Sequence, residues 1–443
     1  MKKSLSFLLA LSLISVLAPT AQAAVKTGGS CNKVGQTSIS KGLKFTCTTL
    51  GKKKVWSKGV KVITNSASKP APAPTPSPTP TATPTPETPK LSMTEILWSE
   101  AINGKFPIQS EKYTIPTKLP SSWNDLYENR EGIAYKAWQS VSLSVKKSSS
   151  KAPKFTLLQG ANTTTPFTDW ESRISVTSRA FPSAPEPANL TVIVFNHEDS
   201  AWADKTFRSL IANEPESFRR NYDNTVLDMC QSQRQMCWSA MGFTDTQGNG
   251  WALIGVVEGE AKKRTDLTYG GYMRSDKGLT MSHEYFHTIQ RKILGDRWYQ
   301  MNYVPPTWFN EGTAVFVEGA APNFDSFDEF MRFRAVDSRL ASSACMGGAS
   351  QGCVKITESL MEDFLDLKHY ANNWSSFPYA MKSEVSARIA EILVSVKGHE
   401  SITDLYSYMA KGNTFEEAFQ YIYGISYNSA IPMISKILTE QFS

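Results

Sequence analysis

Several patterns that define other classes of protein are missing from this sequence of 443 residues. After the first 18 residues no apolar run approaches the ~20 residues needed to cross a membrane, so we expect no membrane span in the mature chain. None of the six cysteines forms a CxxC pair, which argues against a zinc ion held by cysteines. Arginine is absent from residues 1–90 and no nucleic-acid-binding motif occurs, so we expect no nucleic-acid partner. The 41% hydrophobic and 20% charged residues instead indicate a folded protein with a buried core.

Charge is distributed unevenly along the chain. Residues 1–90 contain 13 lysines and a single acid, Glu87, whereas the remaining residues contain 34 basic and 40 acidic side chains. The two parts therefore have net charges of +12 and −6. We expect them to have different partners.

The first 23 residues have the pattern of a secretory signal peptide. Lys2 and Lys3 precede an apolar run over residues 5–18, and the small-x-small sequence at 21–23 is typical of a cleavage site. No cysteine follows that site directly, so a lipid anchor is not expected. We expect the mature protein to be secreted, either free outside the cell or held at the cell surface or cell wall.

The cysteines are consistent with export. Their number is even, and in an oxidising compartment such cysteines usually form disulfides. Of the ~15 possible connectivities, pairing between sequence neighbours is our prediction. The predicted pairs are Cys31/Cys47, Cys230/Cys237 and Cys345/Cys353.

Residues 24–65 form a small module before a linker. Short alternating stretches predict that the module is β-rich, and the Cys31–Cys47 disulfide would stabilise so small a unit. It contains nine lysines and no acid, which leaves two interpretations open. In the first interpretation, the module binds an anionic polymer of the cell envelope. In the second, its lysines only form a solvated surface. Residues 66–90 contain nine of the 24 prolines and are predicted to be an extended linker with a reach of roughly 60 Å.

The main body is predicted to be α+β. Its first part, residues 91–276, combines helices with apolar, β-branched strands over 188–196 and 251–259. Its second part, residues 277–443, is predicted to be mainly α-helical. The helices predicted there cover 278–294, 307–319, 325–337, 355–368, 376–397, 400–410, 414–423 and 428–441.

Glycines are predicted to end three of these helices, at Gly398, Gly412 and Gly424. His399 stands at a predicted helix start. We expect it to be a surface residue.

The sharpest chemical signal is the HExxH sequence His283-Glu284-Tyr285-Phe286-His287. Residues four apart on a helix lie on one face, so both imidazoles could bind one zinc ion. The glutamate that follows the first histidine projects beside the metal, where it can take a proton from bound water. The pattern uses two of only five histidines in the chain.

A second segment supplies the missing ligand. Glu311 follows His287 by 24 positions, on a helix predicted to begin after two prolines, and a carboxylate there would be the third protein ligand of a catalytic zinc site. Glu318 lies two helical turns further on. Zinc-bound histidines usually donate their other N–H to a carboxylate. Glu318 is a candidate for that contact, and a surface glutamate is the alternative.

HEYFH followed by WFNEGTAVFVE resembles the gluzincin zinc metallopeptidases, especially their aminopeptidase-N-like branch. That resemblance implies a zincin-like domain with a mixed sheet and an active-site helix, followed by a mainly helical subdomain. It implies one catalytic Zn²⁺ bound by His283, His287 and Glu311, with Glu284 as the general base. The spacer of 23 residues between the second histidine and the third ligand is longer than is usual in the family.

Two further family features are only partly matched. Phe377-Pro378-Tyr379 resembles the segment whose tyrosine stabilises the oxyanion, which implies that role for Tyr379. Tyr370, Tyr406, Tyr408 and His369 are alternatives. The family's GxMEN segment, which binds a substrate's free amine, is absent. The strand predicted over 251–259 takes its place, and we expect its main chain to align an extended substrate.

These residues predict a secreted zinc peptidase acting on peptides or proteins, with endopeptidase favoured over aminopeptidase activity. The alternative is a catalytically inactive, surface-attached binding or adhesion protein with a structural zinc site. Glu284 favours the enzyme, because a purely structural site does not need a base there.

Overall fold

A computed structural model of the chain divides into two compact units, Met1–Glu87 and Thr88–Ser443. The signal peptide, the linker and the pair Cys345/Cys353 lie outside the residues that the structure describes. The described residues are 26–34, 36–40, 43–50, 53–58, 60–61, 113–150, 152–165, 167–231, 236–237, 239–256, 277–299, 305–342, 356–369, 377, 381 and 385–442.

The N-terminal unit contains a small antiparallel sheet over a core closed by a disulfide. Cys31 and Cys47 are bonded, which confirms the predicted pair, and they pack with Phe45 and Trp56. Phe45 and Cys47 are buried, whereas Lys44 and Thr48 on the opposite face are exposed, as expected for a strand with one inward face. The strands are β1 (Thr37–Ser40), β2 (Leu43–Leu50), β3 (Lys53–Trp56) and β4 (Val60–Lys61), in the order β1-β2-β3 with β4 also paired to β2.

The main unit is built on a four-stranded mixed sheet in the order β5-β6-β10-β9. The three strands β5, β6 and β10 run parallel to one another, and β9 at one edge is antiparallel to β10. The main unit is therefore mixed α/β, in agreement with the predicted class. Its strands are β5 (Lys154–Gln159), β6 (Asn189–Phe195), β7 (Cys230–Gln231), β8 (Met236–Cys237), β9 (Ala240–Thr244) and β10 (Gly250–Gly255).

Short strands β7 and β8 form a separate hairpin. Cys230 and Cys237 face each other across it and are bonded. This bond confirms the second predicted pair. Disulfides of this kind are typical of proteins that fold in an oxidising compartment.

Helices make up most of the remaining described residues of the main unit. Those that precede β7 in the sequence are α1 (Ile133–Lys147), α2 (Trp170–Ala180), α3 (Ser200–Leu210), α4 (Glu216–Asn221) and α5 (Thr225–Met229). Those that follow β10 are α6 (Leu279–Leu294), α7 (Thr307–Ala320), α8 (Phe327–Ser342), α9 (Glu358–Leu365), α10 (Ser386–Lys397), α11 (Glu400–Met409), α12 (Phe415–Tyr423) and α13 (Tyr427–Gln441).

Both faces of the sheet are covered, because successive strand residues point to opposite sides. Ile193 and Leu253 belong to a core with residues of α3, α4 and α5. Their neighbours Val192 and Ala252 belong to the larger core, which includes residues of α6 and of the C-terminal helices. The two central strands, β6 and β10, are accordingly apolar at most positions, as is usual for strands buried on both faces.

The strand predicted over 251–259 does not have the role expected of it. Residues Gly250–Gly255 pair with β6 on one side and with β9 on the other, so their main chain has no open edge for a substrate. Residues 257–259 lie outside the described residues. Within the described part of this sheet, β9 and β5 are the edge strands.

Most of the predicted helices of the second part are confirmed to within a few residues. Gly398, Gly412 and Gly424 follow helix ends with φ of 85°, 103° and 76°, the left-handed backbone that glycine adopts readily. The start of the helix predicted over 376–397 lies outside the described residues, and α10 begins at Ser386. Among the described helices none is long and apolar enough to cross a membrane.

Candidate metal centre

Helix α6 brings the two histidines of the HExxH sequence to one place. It begins after Gly278 (φ 66°) and ends before Gly295 (φ 54°), and its apolar residues belong to the larger core. The Nε2 atoms of His283 and His287 are 3.0 Å apart, and their rings are nearly perpendicular. The spacing of four residues therefore places both imidazoles on one face of the helix, as predicted.

Helix α7 brings a carboxylate to the same point. Glu311 Oε2 lies 3.7 Å from His283 Nε2 and 3.6 Å from His287 Nε2. Together with the 3.0 Å separation of the two nitrogens, these distances form a triangle of donor atoms. Ligands on a tetrahedral zinc ion with bonds of about 2.0–2.1 Å are about 3.4 Å from each other. The triangle therefore has the chemistry and nearly the size of one face of such a site.

Glu284 lies beside the two histidines. One donor atom from each of His283, Glu284 and His287 lies within 4.8 Å of the other two. Glu284 is only 5% exposed. A base in this position can reach a molecule held at the triangle, and its burial separates it from bulk water.

The far side of each imidazole is also held. His283 Nδ1 is 3.1 Å from Glu318 Oε2, and Glu318 is buried. This is the contact expected of Glu318, and a surface glutamate is not what the structure shows. His287 Nδ1 is 2.6 Å from Gln290 Oε1. Sequence reasoning missed Gln290, although its position three residues after His287 places it on the same helical face.

Burial and the neighbouring charges shift the pKa values of this cluster in opposite directions. Burial by itself lowers the pKa of His283, but Glu284, Glu311 and Glu318 outweigh burial and raise that pKa to about 10. Burial raises the pKa of Glu311, yet His287 and His283 bring it well below its usual range. Burial also raises the pKa of Glu284, in spite of both histidines. Three carboxylates around two imidazoles favour a cation at this point, whether proton or metal ion.

The predicted oxyanion donor, Tyr379, lies outside the described residues. The same is true of two of its alternatives, Tyr370 and the side chain of His369. Tyr406 is buried, and its hydroxyl donates to Asn310 Oδ1 at 3.2 Å.

Asn310 Nδ2 in turn donates to Glu311 Oε1 at 3.3 Å. Tyr406 therefore supports the third candidate ligand through Asn310. Tyr408 instead stacks on Tyr421, with ring centroids 4.3 Å apart.

His399, expected at the surface, is buried with 8% exposure. Its Nδ1 lies 2.8 Å from Ser140 Oγ of helix α1, and its ring packs edge-on against Phe181. The prediction was wrong because α1 covers the start of α11, a contact between residues more than 250 positions apart. His399 contributes to packing and not to the candidate metal centre.

The chain matches no protein-family model, no curated protein and no solved structure. Its candidate functional site therefore depends on the geometry described above.

Proposed function

We propose that this protein is a secreted, zinc-dependent peptidase of the gluzincin type, with a zincin-like catalytic domain. The observation that carries the proposal is the donor triangle of His283 Nε2, His287 Nε2 and Glu311 Oε2, with Glu284 beside it. Two imidazoles and one carboxylate are a common ligand set of catalytic zinc sites, which keep a fourth position for water.

His283, His287 and Glu311 would hold the zinc ion. When bound, zinc lowers the pKa of its water toward neutrality and polarises the scissile carbonyl. Glu284 accepts the proton of the attacking water and later passes it to the leaving amine. Burial raises the pKa of the Glu284 carboxyl. Tyr379 is the proposed hydrogen-bond donor to the developing oxyanion.

Strand β9 provides a place for an extended substrate. It is an edge strand of the sheet in the described part of the chain, and its Gly242 lies directly against the main chain of Glu284. A peptide that added to this edge would pair through its main chain close to the general base. Main-chain pairing does not require a free amine, and the family's amine-binding segment is absent. We therefore favour endopeptidase over aminopeptidase activity.

The experiment compares the full-length wild type with Glu284→Gln. Bound zinc per chain and cleavage of a mixed peptide library are measured in both. One zinc in each, with cleavage by the wild type alone, supports the proposed peptidase, and the cut sites distinguish endopeptidase from aminopeptidase. One zinc in each without any cleavage favours the alternative, a surface-attached binding or adhesion protein with a structural zinc. No zinc in either overturns the ligand assignment.

We also propose that the N-terminal module binds an anionic polymer of the cell envelope. No acid lies within residues 24–65, so no carboxylate of the module neutralises its lysines. Exposed cations on this disulfide-bonded sheet attract a polyanion over about 8–10 Å. The exposed lysines in the described part of the module are Lys26, Lys33, Lys44, Lys53, Lys54 and Lys58.

A co-sedimentation assay tests this partner. Cell-wall fragments are used with and without their anionic polymer, and the full-length protein is compared with a variant in which these six lysines are glutamine. We expect binding that needs both the polymer and the lysines and that weakens with salt. A control variant replaces exposed lysines of the main unit, Lys146, Lys147 and Lys205. Equal binding by all three proteins contradicts the proposal.

A further inference from the structure

Gln290 makes hydrogen bonds that link both of the helices carrying candidate ligands. It lies on α6, fully buried, and its Oε1 is 2.6 Å from Nδ1 of His287. Its Nε2 donates to two acceptors on α7, the carbonyl oxygen of Asn310 at 3.0 Å and Thr313 Oγ1 at 2.9 Å. Asn310 and Thr313 stand on either side of Glu311 in the sequence.

These partners fix which way the amide of Gln290 points. The oxygen of Asn310 is a carbonyl and can only accept. The single hydroxyl hydrogen of Thr313 is directed to Phe309 O, at 2.7 Å, so Thr313 Oγ1 also accepts from Gln290. Both atoms on the α7 side require a donor, which places the amide nitrogen there. The amide oxygen must then face His287.

The orientation of the amide determines the tautomer of His287. A carbonyl oxygen cannot donate, so Nδ1 of His287 carries the hydrogen in their 2.6 Å contact. In the neutral ring the lone pair is then on Nε2, the atom that lies 3.0 Å from His283 Nε2 and 3.6 Å from Glu311 Oε2. The hydrogen bond made by one ring nitrogen thus sets the other nitrogen for metal binding.

We infer that Gln290 is a positioning residue of the metal centre. It holds His287 in the Nδ1–H tautomer and, through Asn310 and Thr313, fixes the position of α7 relative to α6. The buried carboxamide of Gln290 accepts from Nδ1–H of His287, and the carboxylate of Glu318 makes the corresponding contact with Nδ1 of His283. The inference rests on the metal site of the proposed function.

The test measures zinc affinity by competition with a chelator in the full-length protein. Gln290→Met keeps the length of the side chain and removes both kinds of hydrogen bond. We expect it to bind zinc about 10–100-fold more weakly than the wild type, as is usual when such an outer contact is lost. Gln420→Leu, at an exposed position of α12, is the matched control and should bind as the wild type does.

A second readout separates positioning from general loss of structure. In ¹H–¹⁵N spectra of the zinc-loaded protein, the wild type and Gln420→Leu should show a protected ring Nδ1–H signal from His287. Gln290→Met should lose it. Gln290→Glu keeps an acceptor for Nδ1–H and loses the amide donors to Asn310 and Thr313, so it should retain the signal and bind zinc more weakly than the wild type.

Three outcomes have distinct meanings. Wild-type zinc affinity in Gln290→Met, or an unchanged Nδ1–H signal there, overturns the inference about Gln290. If Gln290→Met does not fold, the Gln290→Glu variant decides, and a missing Nδ1–H signal in it overturns the inference. Failure of the wild type itself to bind zinc overturns the proposed function instead.

Discussion

Gly242 of the edge strand β9 lies against the main chain of Glu284 on helix α6. A Cβ atom at Gly242 would be 1.9 Å from the carbonyl oxygen of Glu284 and 2.7 Å from its carbonyl carbon. The strand and the helix that carries Glu284, the proposed general base, are therefore as close as a glycine permits. This contact places the edge of the sheet against the helix that carries two of the candidate metal ligands.

Replacing that glycine should separate the two elements. We expect Gly242→Ala to lower the free energy of unfolding by about 1–3 kcal/mol, because a backbone atom must move to admit the methyl group. Peptide hydrolysis should fall further than stability explains, since Glu284 moves with its main chain. Urea denaturation and hydrolysis rates measure the two effects. Gly424→Ala, an open position with φ of 76°, should lose stability and keep its activity.

Removing the carboxylate behind His283 should weaken metal binding. In Glu318→Gln the charge that stabilises the donated Nδ1–H is lost, and we expect zinc affinity to fall about 10–100-fold. Competition with a chelator measures the change. Glu329→Gln, which removes a half-buried carboxylate paired with Lys277, is the control. Equal zinc affinity in both variants would show that Glu318 does not assist the site.

Two tyrosines should differ in the size of their effects. Tyr379→Phe removes the proposed oxyanion donor, so kcat should fall about 10²–10³-fold. Tyr406→Phe removes a neutral hydrogen bond to Asn310, worth about 1 kcal/mol, and should lower zinc affinity about fivefold. Single-turnover and zinc-competition measurements distinguish these effects. A large loss of kcat in Tyr406→Phe alone would reverse the two assignments.

His399 should make stability depend on pH. Burial lowers its pKa, with a smaller opposing effect of Glu400, so the folded protein keeps His399 neutral at pH values where the unfolded chain binds a proton. The free energy of unfolding should therefore fall as pH drops below about 6.5, the value of an unperturbed histidine. Above that pH the contribution is fully present.

The measurement uses urea denaturation of the wild type and His399→Gln between about pH 5 and 8, the range over which histidine changes charge. The stability difference between the two proteins isolates His399, because the other histidines titrate in both. We expect the wild type to lose more stability on the acid side. A difference that stays constant across the range would mean that His399 titrates alike in the folded and unfolded states.

Local pattern in the sequence was sufficient for the elements that depend on near neighbours. Helix α6 follows from apolar periodicity and a terminal glycine, and its two histidines share a face because they are four residues apart. The pairs Cys31/Cys47 and Cys230/Cys237 join residues close in sequence and were predictable for that reason. The strands over 188–196 and 251–259 were recognisable from their apolar, β-branched composition.

Predictions failed where distant segments decide the environment. The strand over 251–259 looked able to bind a substrate, but β6 and β9 occupy both of its edges over Gly250–Gly255. Because β9 and β10 are both mostly apolar, their sequences give no sign of which of the two lies at the edge. His399 looked polar and exposed, and helix α1 covers it.

The sequence by itself determined the candidate donors of this protein, because HExxH and the later Glu311 are set by spacing along helices. Only the tertiary structure decided how those donors meet. The 3.6 Å and 3.7 Å approaches of Glu311 come from the packing of α7 on α6, which spacing cannot specify. The same packing places Gln290 between His287 and the residues beside Glu311. Hydrogen bonds between helices depend on their relative position, and long-range packing sets that position.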